Sequence, residues 1–351
     1  MIIIKFLIIL LVLITVHEFG HFIVAKIFNV YVSEFALGFG PKVFSKKGKE
    51  TEFSIRLLPL GGYAAMVGED GEIEDEELKN LPFERTLKGV NRFKQFLIMF
   101  AGSFMNILLA FVVFMGIGIT YNQPNPDPII DVPTSSAAYD GGVRTNDRAI
   151  KIVQDDKTTQ VKSYSSLIIF EYTNKEGKPF DLYVERDGKE LKYTIKPEYS
   201  KKDDMYLAGY TATVLKKADN PVDAFKNGFA ITKENTQNIF TSLKMLFTGK
   251  AGVKDLSGPV GIVSITSDID KEQGFIGLVN FTAILSLNLA IFNLLPIPAL
   301  DGGRILLLII EAVTRKKISP ELESKIIGIS FILLMVLIVF VTGNDILKLF
   351  K

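Results

Sequence analysis

The chain has 351 residues, 48% of them hydrophobic, and its 40 Lys and Arg against 39 Asp and Glu leave a net charge of +1. Such a balance gives no electrostatic footprint for a nucleic acid, so none is expected as a partner. With no cysteine, disulfides are excluded and metal ligands must be His, Asp or Glu. The apolar residues gather at both ends and near residue 100, so length overstates the soluble part.

Ile2 to Val24 is apolar and long enough for the roughly 20 residues that cross a hydrocarbon core. A cleaved signal peptide is the rival reading. Against it stand a single basic residue, Lys5, the lack of a small-x-small cleavage site, and the histidine pair that cleavage would discard or strand. That pair, His17 and His21, comprises the only histidines in the chain and brackets the sequence His17-Glu18-Phe19-Gly20-His21. Residues four apart share a helix face, so two imidazoles stacked one turn apart can bind one Zn²⁺ while Glu18 serves as general base.

From Tyr31 to Tyr63 the hydrophobic period becomes two, with a turn-like Lys46-Lys47-Gly48-Lys49 in the middle, which predicts a β-hairpin near the membrane face. Gly68 to Glu77 is acidic and reads as a solvated loop. A second span is expected over about 96–121, carrying a small, polar patch of Gly102, Ser103 and Asn106. Asn106 fits either close helix packing or a role in a site.

Residues 122–200 read as a soluble, strand-rich domain, with strands expected at Ile129 to Val132, Ala149 to Val153 and Leu167 to Tyr172 and a hairpin turning at Asp187-Gly188. The 201–280 region contains an amphipathic helix from Asn220-Pro221 to Gly249, which either packs on the soluble domain or lies on the bilayer. A third span, about 281–313, is interrupted by Pro296 and Pro298, and membranes tolerate such breaks only where protein or a water-lined cavity covers the freed backbone groups. A fourth runs from about 326 to 343. Lys and Arg cluster after the first span and between the third and fourth, which puts both loops in the cytoplasm and the 122–200 domain outside.

Catalytic zinc usually takes three protein ligands. With both histidines used, the third must be an oxygen, and Asp301 in the broken span is the conspicuous choice, although beside Gly302-Gly303 it also suits a turn.

Taken together, the chain resembles the site-2 protease family of intramembrane zinc metalloproteases, most closely the bacterial regulator-of-sigma-E protease type with an external PDZ domain. The resemblance is carried by the His17 to His21 motif, by Asn293-Leu294-Leu295-Pro296-Ile297-Pro298-Ala299-Leu300-Asp301-Gly302-Gly303, by Phe100-Ala101-Gly102-Ser103-Phe104-Met105-Asn106 and by Leu256-Ser257-Gly258-Pro259-Val260-Gly261. It implies four transmembrane helices in a multi-pass cell-membrane protein, a membrane-associated β-loop over 31–63 that receives substrate by β-augmentation, and one PDZ-like α+β domain. It further implies His17, His21 and Asp301 as zinc ligands, Glu18 as base, and Asn288 and Asn293 as residues that handle the substrate. Substrates would be single-span membrane proteins such as anti-sigma factors or remnant signal peptides, cleaved near the cytoplasmic face of the bilayer. Two other functions compete on the same features: a metal-ion transporter, because His and Asp within spans also mark ion pathways, and a non-catalytic adaptor using the PDZ-like domain.

Overall fold

The computed structural model describes residues 2–69, 78, 81–201, 203–249, 251–252 and 256–349; residues 70–77 of the expected acidic loop lie outside these. The chain divides into two compact units, Met1–Val113 with Ala251–Lys351, and Phe114–Lys250. Among the described residues, four helices are long and apolar enough to cross a membrane: α1 (Ile2–Ile27), α2 (Arg92–Thr120), a helix over Pro259–Asn293 and one over Pro320–Leu349. With several small antiparallel sheets, this is the fold class expected.

In the first unit, strands β1 (Val32–Lys47) and β2 (Glu52–Met66) form the expected hairpin, but both bend. Residues Glu34–Leu37 have partners on both edges, Ala65–Gly62 running opposite and Glu52–Ile55 running alongside. Residues 62–66 are therefore left as an edge of the folded sheet. An aromatic cluster of Phe22 from α1 with Phe35 and Phe53 from the sheet, at ring separations of 5.3 to 6.1 Å, fixes that sheet to the helix. Ala25, Val30, Val32 and Ile98 complete the core beneath it.

The third span departs from expectation. Its helix starts at Pro259, well before residue 281, and ends at Asn293 rather than running on through the prolines. Pro259 stands in the first helical position, where its missing N–H costs nothing. Buried Asp345 of the last helix accepts the N–H groups of Gly258 and Gly261, both at 2.8 Å, which satisfies donors that the helix start leaves over. A left-handed Gly274 (φ 60°) kinks the helix partway along, and Lys5 of α1 pairs with Asp270 at 2.7 Å just before the kink. After the turn at 294–300 the chain restarts as a separate helix, Asp301–Thr314.

In the second unit a four-stranded sheet is built from β3 (Arg148–Gln154), β4 (Lys157–Gln160), β5 (Phe180–Arg186) and β6 (Lys189–Ile195), in the order β4-β3-β5-β6. The β5–β6 hairpin turns at Asp187 (φ 52°) and Gly188 (φ 71°), the paired positive angles of the expected type I′ turn. Leu167 to Tyr172 is not a strand. It lies in helix α3 (Tyr164–Thr173), whose Ser163 and Ser166 form a reciprocal capping box and whose Leu167, Phe170 and Glu171 face the core at helical spacing. The capping signal outweighs the β-branched composition. Helix α4 (Pro221–Phe247) follows as expected, its start capped by the Asn220 side chain accepting from Asp223 N–H. One face packs on the end of α2, where Gly228 lies so close that an added Cβ would be 3.0 Å from Met115 Cα. Its Glu234 accepts from the Ser165 hydroxyl of α3 at 2.6 Å, while Phe229 and Phe240 on the other face are exposed.

Glu171 is buried in this second unit and accepts the Ala208 N–H at 2.7 Å. Burial pushes its carboxyl from an ordinary 4.5 up to about 7. The unfolded chain ionises this group first, so between those two values it binds fewer protons than the folded chain and stability falls as pH rises, levelling above about 7. The opening free energy of amides around Ala208 in the full chain, from exchange rates corrected for the intrinsic pH dependence, should therefore be higher at pH 5 than at pH 8, by up to about 3 kcal/mol. Glu171→Gln should flatten that dependence; an unchanged slope in this variant would mean that another group is responsible.

Candidate metal centre

Two segments far apart in sequence meet at one point. His17 and His21 are buried on one face of α1, with ring centroids 4.8 Å apart and planes at 83°. Asp301, the first residue of the helix Asp301–Thr314, here α6, closes the group. The helix over Pro259–Asn293 that precedes it is α5.

His17 Nε2 lies 3.1 Å from Asp301 Oδ2, His21 Nε2 lies 3.3 Å from the same oxygen, and the two Nε2 atoms are 3.2 Å apart. Tetrahedral ligands at the about 2.0 Å of zinc–nitrogen and zinc–oxygen bonds stand roughly 3.3 Å from one another, so this triangle has the edge length of one face of a zinc tetrahedron. His21 Nδ1–H donates to the Ile98 carbonyl at 2.8 Å, which leaves the Nε2 lone pair pointing at the group. Asp301 Oδ2 is buried without a hydrogen-bond donor. Two imidazole nitrogens converging on a buried carboxylate oxygen that receives no hydrogen bond suit a cation, so the residues present fit a zinc ion.

Glycines make the convergence possible. A Cβ on Gly102 of α2 would stand 2.3 Å from His21 Nε2 and 2.8 Å from His17 Cε1, so any side chain there would occupy the space of the imidazoles. Gly20, inside the histidine motif, faces α2 so closely that its Cβ would meet the Ala101 carbonyl oxygen at 2.4 Å.

The remaining expected residues divide. Asn106 is fully buried with its amide 3.4 Å from His17 Nδ1, and Asn293 places its amide nitrogen 3.3 Å from His17 Nε2. Asn288 sits earlier in α5 than Asn293 and donates to the Ile284 carbonyl of its own helix. Glu18 lines a cavity of about 410 Å³ with the two histidines, Asp301 and the sheet edge at Tyr63 to Met66. A Cβ on Gly62 would lie 3.7 Å from Glu18 Cγ, so that edge passes directly over the carboxylate. Sequence reasoning did not single out Gly102 as a contact of the imidazoles, nor Glu69 and Arg304, which pair at the cavity wall. Arg304 was visible as a lone cation opening an apolar helix three residues after Asp301.

An H-E-x-x-H helix completed by a distant aspartate, among helices of membrane-spanning length, defines a membrane zinc metalloprotease. The sequence profile of peptidase family M50 matches residues 5–337, and the chain belongs to that family, the site-2 proteases. It is 37% identical to a Clostridium acetobutylicum protein with a zinc-metalloprotease designation, over 95% of this chain and 94% of that one. It is also 30% identical to the regulator of sigma-W protease RasP of Bacillus subtilis, over 99% of both chains, and 31% identical to the zinc metalloprotease RasP of Geobacillus kaustophilus, over 99% of this chain and 98% of the relative.

Gly102→Ala should lower zinc affinity at least about 10-fold, the lower end of what disturbing the surroundings of a metal ligand costs. Gly116→Ala on the same helix, where an added Cβ meets nothing within 4 Å, should leave it unchanged. Competition with a fluorescent chelator on purified protein measures both; equal affinities would remove Gly102 from the site.

Proposed function

We propose that His17, His21 and Asp301 hold one Zn²⁺ and that the chain cleaves single-span membrane proteins, of the anti-sigma factor or remnant signal peptide type, within or near the bilayer. The observation that carries this reading is the triangle of two imidazole nitrogens and one buried carboxylate oxygen beside Glu18 and a sheet edge. Zinc bound there would bring water to a pKa of about 7 and polarise a peptide carbonyl.

The chain's own residues account for the rest. Glu18 accepts a proton from the attacking water and returns it to the leaving amine nitrogen. Asn106 orients His17: with its amide turned so that the oxygen faces the ring, Oδ1 accepts from His17 Nδ1–H and leaves Nε2 free for the metal, which also gives a donor to an oxygen otherwise buried alone. Asn293 aims an amide N–H to within 3.3 Å of His17 Nε2, a place from which it can donate to the scissile carbonyl oxygen. A substrate helix keeps its carbonyls engaged in hydrogen bonds and must unwind before attack. Tyr63 to Met66 offers the freed strand a ladder of backbone partners. Asn288 is a second amide for those groups once it leaves the Ile284 carbonyl.

The basic residues flanking the spans support a cytoplasmic location for the metal end of α1 and an extracytoplasmic one for the 122–200 region, read as a PDZ-like domain. A transporter has no use for Glu18 or for a strand edge in the metal cavity, and an adaptor has no use for the ligand triangle.

Purified full-length chain in detergent should cleave members of a panel of single-span proteins, lose that activity to a chelator, and regain it with added zinc. Glu18→Gln should lower the rate by at least about 10²-fold with zinc content unchanged. Cleavage equal in all conditions would sink the metalloprotease reading.

A further inference from the structure

A second cavity, of about 710 Å³, adjoins the metal cavity. Glu69, Leu87, Met99 and Arg304 line both, and between the two spaces the Arg304 guanidinium is paired with the Glu69 carboxylate. Glu69 follows the sheet edge by a tight turn, its N–H donating to the Met66 carbonyl, and Arg304 follows Asp301 by one helical turn. The pair thus joins the two walls between which Glu18 and the ligands lie. The outer space is bounded by the start of α2 and by the connection from α6 to the last helix, and is braced by Lys88 to Glu323 at 3.1 Å and by Glu311 accepting the Ile318 N–H at 2.7 Å.

We propose that the Glu69–Arg304 pair is a removable partition, and that the outer cavity is a vestibule for the extended polypeptide that runs past the scissile bond. This rests on the protease reading above. The direction of the edge strand carries the inference: Gly62 lies against Glu18, Tyr63 to Met66 line the metal cavity, and Glu69 stands at its far end. A strand added along this edge advances about 3.3 Å per residue and within a few residues meets the ion pair. It can continue only if Arg304 and Glu69 separate. An ion pair suits that role better than an apolar plug, because each partner has an alternative within an arriving backbone. The guanidinium's five N–H groups can turn to peptide carbonyls, and the carboxylate can accept from peptide N–H groups. The vestibule, lined by apolar Leu307, Leu308 and Phe83 beside charges of both signs, accommodates an extended chain of mixed composition.

The absence of native cysteine makes the test direct. In full-length protein carrying Ala65→Cys, a thiol in the metal cavity, modification by a small charged methanethiosulfonate should be at least fivefold faster when Glu69→Gln or Arg304→Gln is added. The reversed pair, Glu69→Arg with Arg304→Glu, should restore protection. Equal rates in the intact and broken pairs, with zinc content and melting temperature maintained, would overturn the partition whether or not any form cleaves substrate. In a second arm, Glu69→Cys with Arg304→Cys is joined by a bis-methanethiosulfonate linker of about 10 Å, each thiolate displacing methanesulfinate to form a reducible disulfide, a length suited to the span of two long side chains. Linking should slow cleavage of a single-span substrate at least 10-fold, and reduction should restore it. Unchanged cleavage in verified linked protein would overturn the vestibule as the path of the chain.

Discussion

The structure depends on a single electrostatic demand: two imidazole nitrogens and a carboxylate oxygen are held 3.1 to 3.3 Å from one another, with the carboxylate oxygen buried and receiving no hydrogen bond. Such an arrangement repels itself unless a cation occupies the centre. Much of the first unit is explained as the means of bringing these atoms together. Gly20 and Gly102 let α1 and α2 approach until backbone and rings touch, and Ile98 on α2 fixes the tautomer of His21. Ser286 of α5 donates to the Asn106 carbonyl of α2 at 2.8 Å, which ties the helix leading to Asp301 to the helix supporting His17.

The β-sheet then acquires its role from position. It is anchored to α1 through Phe22, Phe35 and Phe53, and its edge crosses Glu18 at Gly62. A strand edge is normally a liability that a fold covers or charges. Here it lines the cavity that holds His17, His21 and Asp301, the position from which the proposed strand addition would take place. The break in the third span has a similar logic: the turn at 294–300 frees α5 from continuing, so that Asp301 starts a new helix and faces the histidines.

The sequence disclosed the chemistry more readily than the geometry. The histidine motif, the hairpin turn at Asp187-Gly188 and the helix start at Asn220 are short-range patterns whose physics is local, and each lies in the element expected, while Asp301, far off in sequence, is brought beside the two histidines. Leu167 to Tyr172 misled because β-branched and aromatic residues suit strands and buried helices alike, and only the Ser163 and Ser166 caps distinguish them. The start of the third helix was hidden because its cap, Asp345, comes from the opposite end of the chain. Gly102 showed as a small residue, but its contact with two imidazoles is a three-dimensional fact that spacing does not encode.

The central claim is that His17, His21 and Asp301 share one ion. Zinc K-edge absorption of the full-length chain in detergent, combined with metal quantitation, tests it most directly. The account predicts one zinc per chain, two imidazole ligands and oxygen donors at about 2.0 Å, with Asp301→Ala losing one oxygen and binding zinc more weakly. An unchanged zinc environment and affinity in Asp301→Ala, or a spectrum with fewer than two imidazoles in the unaltered chain, would contradict it.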